Sequence, residues 1–293
     1  MPFLSPLRYP GGKRRLTNFF KLVVLENDIL DGEYAEPYAG GASIGLALLF
    51  DNYVRKIHIN DLDYAVYSFW FSVLNETETI CKLIRDTPVT IEEWYRQKNI
   101  QNDPNSSLID KGFSTFFLNR TNRSGIISGG VIGGKNQTGN WKIDARFNKA
   151  NLISRIQKIA LYRTRIRLYN MDASKFIIDV LPRLSEHTLV YFDPPYFIKG
   201  QQLLYTNFYQ PTDHEIVSGL VKNVKQNWIV TYDNVPEIRK IYFGLRHIIY
   251  GLNYSAQDRY KGSEVMFISN SLEIPETEDP TKIKNRLLHH YLF

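Results

Sequence analysis

Glu36-Pro37-Tyr38-Ala39-Gly40-Gly41-Ala42-Ser43 stands between an apolar, β-prone run, Glu33 to Tyr38, and a helix-spaced run, Ala42 to Phe50. A strand, a glycine turn and a helix in that order make the first unit of an α/β sheet. The turn sits at the carboxyl end of its strand, where open α/β sheets hold their ligands. Gly40 and Gly41 let a backbone come close to a bound molecule, and small Ala42 and Ser43 let the helix pack tightly. The spacing departs from the GxGxxG fingerprint, so a nicotinamide dinucleotide is disfavoured. Glu36 is unusual for a buried strand end unless it accepts hydrogen bonds from a ligand.

Outward from this unit, further strand candidates run Lys56 to Asn60, Arg165 to Asn170, Thr188 to Phe192, Trp228 to Tyr232, His247 to Gly251 and Glu264 to Ser269. Helix-spaced stretches such as Asp213 to Val224 lie between several of them, which predicts a doubly wound α/β sheet covered on both faces. The last two candidates are joined by the polar loop Asn253 to Ser263, which suits an antiparallel hairpin. The alternation breaks between about Phe71 and Asn151, too long a gap for one crossover. Helical segments, Ser72 to Arg85 and Thr90 to Ile100, open the gap. Phe113 to Arg123 and a glycine-rich stretch, Ser124 to Asn140, follow, and a basic helix, Arg146 to Tyr162, closes it. The expected division is a sheet domain of residues 1–72 and 151–293, with residues 73–150 as an inserted, mainly helical domain.

The chain has 293 residues, 43% of them hydrophobic and 23% charged, as expected of a globular protein with a sizeable core. A formal charge of +6 favours a polyanionic partner without proving one. The single cysteine, Cys81, excludes a disulfide framework and a multi-cysteine zinc site, and its helical surroundings suit a buried apolar residue. His214 and the His289-His290 pair have no metal-ligand partners and read as surface residues. No metal is expected. No run reaches transmembrane length, so a cytoplasmic protein with no membrane partner is the default.

The strand Thr188 to Phe192 runs straight into Asp193-Pro194-Pro195-Tyr196. The acid accepts hydrogen bonds, the prolines fix φ and free a backbone carbonyl, and the ring can cover a flat substrate. Those parts suit a planar amino group. A simple strand-ending turn would explain the prolines but not the acid and the ring together. Near the N-terminus, Tyr9-Pro10-Gly11-Gly12-Lys13 offers backbone N–H groups and an ammonium to an anion, but it lacks the spacing of a nucleotide P-loop. The second strand ends at Asn60-Asp61-Leu62-Asp63, where Asp61 could chelate the two hydroxyls of a ribose or cap the next helix. Asp172, after the third strand, could reach an adenine amino group or cap the helix that begins at Ala173.

In order, YPGGK, EPYAGGAS, NDLD, NMDA and DPPYF resemble the class-alpha DNA adenine-N6 methyltransferases, the D12-like, GATC-methylating group, over nearly the whole chain. The resemblance implies a seven-stranded, Rossmann-like methyltransferase sheet, S-adenosylmethionine as cofactor and an inserted target-recognition domain. By position it implies that Tyr9 and Lys13 contact the cofactor, with Glu36, Pro37, Tyr38, Gly40 and Gly41 along its methionine part. Asp61 falls at the ribose, and Asp172 with Ala173 at the adenine edge. Asp193, Pro194 and Tyr196 would hold the target base, Asp193 bordering the cofactor as well. FFLNRTNRSG looks like the family's recognition segment, so Asn119, Arg120, Asn122 and Arg123 are the expected DNA contacts. Arg suits guanine in the major groove, while Lys135 and Lys142 suit phosphates. Here the segment runs into glycine-rich ISGGVIGGKN, where the family often has an aromatic or aliphatic residue.

The implied partner is double-stranded DNA, with or without a cognate restriction endonuclease, and the implied place is the nucleoid. Two other readings compete. One is methyl transfer to RNA adenine, cytosine N4 or protein glutamine. The other is a non-catalytic DNA-binding relative, against which the intact DPPY and glycine motifs argue.

Overall fold

The computed structural model describes residues 4–8, 13–197, 209–253 and 261–284. Tyr9 to Gly12, most of the loop Asn253 to Ser263, and the His289-His290 pair lie outside the described residues. All seven strand candidates are strands: β1 (Gly32–Glu36), β2 (Val54–Asn60), β3 (Ile166–Tyr169), β4 (Thr188–Phe192), β5 (Asn227–Asp233), β6 (Arg246–Asn253) and β7 (Lys261–Ile268). They form one sheet in the order β3-β2-β1-β4-β5-β7-β6. β1 pairs in parallel with β2 and β4, and β4 with β5, whereas β7 runs antiparallel to both β5 and β6. The hairpin was expected; that its second strand enters the sheet ahead of its first was not. β7 carries the apolar run Val265 to Ile268, wholly buried, whereas Arg246, His247 and Ile249 of β6 are exposed. The strand that is apolar on both faces takes the inner place.

Period-two alternation sorts the side chains of this sheet. Tyr34 pairs with Leu189 and Tyr191 with Ile229, so Tyr34, Tyr191 and Thr231 share one face. Phe20 of α1 (Thr17–Glu26) packs edge-on against Tyr34 and Tyr191 there, at 6.2 and 4.8 Å between ring centres. α2 (Ser43–Phe50) lies on the same face, with Gly45 against the Tyr34 ring. Tyr232 points the other way, into His214 of α9 (Pro211–Lys222) and Tyr242, which follows α10 (Pro236–Ile241). Helices on both faces make the sheet doubly wound, as expected. His214 is buried, not superficial, and its Nδ1 lies 3.1 Å from the Tyr232 hydroxyl. It belongs to the helical stripe His214, Val217, Ser218, Val221, all buried, and burial pushes its pKa down to about 4.

The chain divides into two compact units, Met1–Gly12 with Asp63–Asn170, and Lys13–Leu62 with Met171–Phe293. The helical unit thus takes more chain than residues 73–150. Its α3 (Tyr64–Asn75) packs along α6 (Leu108–Thr121) and α7 (Lys149–Leu161), and α4 (Thr77–Asp86) and α5 (Ile91–Asn102) complete it. Glu76 breaks the single helix expected over Ser72 to Arg85 into α3 and α4. Phe69 stacks on Phe116 at 6.0 Å, and Phe147 closes on Phe116 and Phe117. The close approach of α3 to α6 depends on Gly112, where a Cβ would lie 2.3 Å from Ser72 Oγ and 2.5 Å from the Ser68 carbonyl. No helix among the described residues is long and apolar enough to cross a membrane.

Candidate active site

Strand parity brings the acids together. Glu36 ends β1 on the Tyr34 face, Asp193 follows β4 on the Tyr191 face, and Asp233 ends β5 two residues beyond Thr231. Glu264 of β7 pairs with both Asp233 and Tyr250, so it joins the same face. The sheet reverses its strand order between β1 and β4, and Glu36 and Asp193 stand at the carboxyl ends of those two strands.

Lys13 is the cation at this face. Its buried ammonium donates to Asp193 Oδ1 at 2.8 Å, Asp193 Oδ2 at 3.1 Å and the Tyr196 hydroxyl at 2.9 Å, and lies 3.5 Å from Glu264 Oε1. Burial opposes its charge, but Asp193 and Glu264 win, and the Lys13 pKa stands well above its ordinary value. Thr231 Oγ1 also donates to Asp193 Oδ1, at 2.8 Å. The Asp193 side chain keeps 24% of its surface exposed, so a ligand can still reach it. Desolvation raises its pKa, Lys13 pulls it down, and Glu264 raises it again, leaving it above the ordinary value. Its position is therefore fixed by two donors, and its charge is contested by a second carboxylate.

Tyr196 was expected to be a stacking plate. It is 6% exposed, its hydroxyl donates to Glu264 Oε1, and Lys13 lies 5.0 Å over its ring. A ring so covered offers little face to a base until Lys13 moves. Pro194 is buried beside it, and Phe197 donates its N–H to Asp233 Oδ1 at 2.9 Å.

The glycine turn is braced from β2. Asp61 Oδ2 accepts from the Gly40 N–H at 2.9 Å, and Ala39 N–H donates to the Asn60 carbonyl. Gly40 and Ala42 both take left-handed φ of 46°, so the turn bends back on itself before α2 begins. Asn60, buried, donates to the Pro37 and Met171 carbonyls at 2.9 and 3.0 Å and accepts from Met171 N–H. It ties the loops after β1 and β3 together, a function that its place at a strand end did not reveal. Tyr38 shares a 2.9 Å hydroxyl contact with Tyr209. Asp63, not Asp61, caps α3 through Ala65 N–H; Asp172 is exposed and caps α8 (Ala173–Asp179) through Ser174 N–H. Capping is thus realised at Asp172, with the exposed edge of its carboxylate left to other partners.

Glu36 is the most telling residue. Tyr34 donates to its Oε1 at 2.7 Å, but buried Oε2 has no hydrogen-bond partner. Burial lifts its pKa to about 8, the Tyr34 hydroxyl opposing the rise, Asp193 adding to it and the Gly45 N–H opposing it more weakly. A buried carboxyl with an unsatisfied oxygen, beside a second raised carboxyl, is relieved by a cation. Among the described residues, no group of three or more His, Cys, Asp or Glu is arranged to hold a metal. The arrangement suits an organic cation with donors of its own.

In the helical unit the expected recognition residues separate into two sets. Asn119, Arg120 and Asn122 are buried, and their polar atoms are used inside the protein. Asn119 bonds to Arg8 and to the Gly125 carbonyl, and Arg120 donates through two nitrogens to the Pro6 carbonyl. Asn122 accepts from Trp94 Nε1 at 2.6 Å and donates to the Ile126 and Ile127 carbonyls. All three side chains are engaged within the helical unit. Burial also lowers the Arg120 pKa to about 9, with Arg155 and Arg8 adding. Arg123, Lys135 and Lys142 are exposed, as are Trp141 and Arg146, which stack at 5.5 Å. The glycine-rich stretch carrying Lys135 is ordered by Gln137, whose side chain bonds to Ile132, Gly134 and Ile143.

Against known proteins, the family model described as D12 class N6 adenine-specific DNA methyltransferase matches residues 9–254. Curated protein sequences give no match. Among solved structures, a Pyrococcus horikoshii protein assigned as an RNA methyltransferase is 10% identical, with 90% of this chain and 85% of that one covered at a TM-score of 0.43. TrmK of M. capricolum, solved with S-adenosyl-homocysteine, is 10% identical over 94% and 81% of the chains (TM-score 0.36). The rRNA methyltransferase aviRa of Streptomyces viridochromogenes is 11% identical over 84% and 82% (TM-score 0.34).

Proposed function

The chain belongs to the D12 class N6 adenine-specific DNA methyltransferase family, and on that footing we propose which of its residues carry the reaction. It is an S-adenosylmethionine-dependent enzyme that methylates adenine N6 in DNA. The observation that carries the assignment of roles is the Asp193 carboxylate, fixed at the sheet's reversal point by Lys13 and Thr231 and still reachable.

Glu36, the Gly40-Gly41 turn and Asp61 fit the cofactor. The unsatisfied Oε2 of Glu36 suits its ammonium or sulfonium charge, and the turn lets its backbone approach. When bound, S-adenosylmethionine supplies an electrophilic methyl group. The protein's own residues act on the base. Adenine N6 is a poor nucleophile because its lone pair is delocalised into the ring. Asp193 and the Pro194 carbonyl accept from its two N–H bonds and localise that pair, and Asp193 receives the proton that becomes acidic after transfer. Tyr196 covers the base once its ring is uncovered, and the base must leave the duplex to reach it. Arg123, Lys135 and Lys142, exposed on the helical unit, neutralise phosphates or read bases. A cognate restriction endonuclease would be a second partner, blocked at sites the enzyme has modified.

The test is methyl transfer to duplex DNA with the purified chain, followed by single-molecule sequencing for methyladenine. A recurrent modified motif is expected; unmodified DNA with folded protein and cofactor present would overturn the assignment. The Glu36 role has its own signature. With a pKa of about 8 in the free protein, Glu36 is protonated near neutrality. A cation stabilises its ionised form, so binding releases a proton, and cofactor affinity should rise from about pH 6 to about pH 8. Titration calorimetry should show that rise in the parent and lose it in Glu36→Gln. A flat profile in the parent would remove Glu36 from the cofactor site.

A further inference from the structure

Glu264 has no place in the mechanism above, yet it is the most enclosed carboxylate of the site, with no exposed surface. It accepts from the hydroxyl of Tyr196 on one oxygen and from that of Tyr250, at 2.8 Å, on the other, and its Oε1 stands 3.5 Å from the Lys13 ammonium. Two carboxylates therefore flank one buried cation, which sits nearer Asp193, at 2.8 Å.

That unequal sharing matters for the reaction. Lys13 touches both oxygens of Asp193, and Thr231 takes a further lone pair of Oδ1. An amino N–H is a much weaker donor than an ammonium, so Asp193 localises the adenine lone pair poorly while Lys13 holds it on both oxygens. Release of Lys13 into a buried site with no second counter-ion would leave an uncompensated charge, which is strongly unfavourable. Glu264 removes that obstacle. The ammonium needs only to close its 3.5 Å separation to ordinary contact distance. The same carboxylate fixes the Tyr196 phenol, hence the plane of the ring that follows Pro195.

We propose that Glu264 is a positioning residue for methyl transfer: it anchors Tyr196 by its hydroxyl and is the counter-ion to which Lys13 moves when Asp193 accepts the target amino group. This deepens the proposed assignment of Asp193 and Tyr196 and rests on it. The other groups facing Asp193 are Glu36, Tyr34, Tyr191 and Tyr250, and all remain in the variants below.

The full-length chain carrying Glu264→Gln tests it in two ways. Carbon-13 NMR of the Asp193 carboxyl, assigned with Asp193→Asn, needs no turnover. Its titration midpoint is expected to fall, because removal of the Glu264 charge leaves Lys13 wholly to Asp193. Single-turnover methyl transfer is expected to fall about 100-fold, with cofactor affinity unchanged. A purely structural Glu264 would leave the Asp193 midpoint where it is, so an unmoved midpoint overturns the proposal whatever the transfer rate, and so does a wild-type transfer rate. Glu264→Asp separates charge from reach and covers the case in which the Gln variant does not fold. It should keep the midpoint but lose transfer, since the shorter side chain releases Tyr196; full transfer in that variant also overturns the proposal. A wild-type chain that methylates no DNA would refute the functional reading, and the NMR titration would still decide the coupling between Glu264 and Asp193.

Discussion

Asp193→Ala is expected to lower methyl transfer by about three to four orders of magnitude while the protein stays folded and binds S-adenosylmethionine. The chemical loss follows from removing the only side-chain acceptor assigned to the target amino group. The structural tolerance follows from the rest of the site. Without Asp193, Lys13 keeps the Tyr196 hydroxyl at 2.9 Å and Glu264 within 3.5 Å, so its buried charge stays paired. Thr231 loses one acceptor but retains its 2.7 Å contact with the Tyr191 hydroxyl. Glu36 loses a neighbour that raises its pKa, which favours its ionised form and a bound cation. Single-turnover methylation and cofactor titration on the same sample separate these effects. Retained transfer would refute the role of Asp193, and lost cofactor binding would make it a cofactor ligand first.

Much of this architecture was legible because it rests on short-range patterns. Each of the seven strands was marked by an apolar β-prone run, and the acids Glu36, Asp61 and Asp193 were found by their place just after or at a strand end. What failed was the third dimension of individual side chains. Arg120 lies on the helical stripe Phe113, Phe116, Phe117, Arg120, all buried, so its spacing in α6 pointed inward while its charge suggested a surface. His214 was misplaced for the same reason. Glu264, Tyr250 and Thr231 could have been found only by combining strand parity with the strand order, and a β7 that enters ahead of β6 is not written in any local run. Asn60 looked like part of an acidic motif, but its work is to bridge two loops whose meeting depends on the whole sheet.

Asn122→Ala is expected to destabilise the helical unit by about 3 kcal/mol, although the residue sits in the segment that suggested DNA recognition. Its side chain has no exposed surface and makes three hydrogen bonds at once. Truncation would strand the buried Trp94 indole N–H and leave two half-buried backbone carbonyls without their donor. Each stranded group costs about 1 kcal/mol or more. Those carbonyls, of Ile126 and Ile127, begin the loop that returns to pair Val131 with Asn122, so the loop should loosen as well. Arg123, the next residue, is exposed, and Arg123→Ala should leave stability unchanged. If Arg123 meets a phosphate, that variant should bind duplex DNA more weakly and lower the slope of log affinity against log salt by about one. Urea unfolding and salt-dependent DNA binding on both variants make the comparison. An Asn122→Ala chain as stable as the parent but defective in DNA binding would return Asn122 to the recognition surface and show that its burial is released when DNA binds.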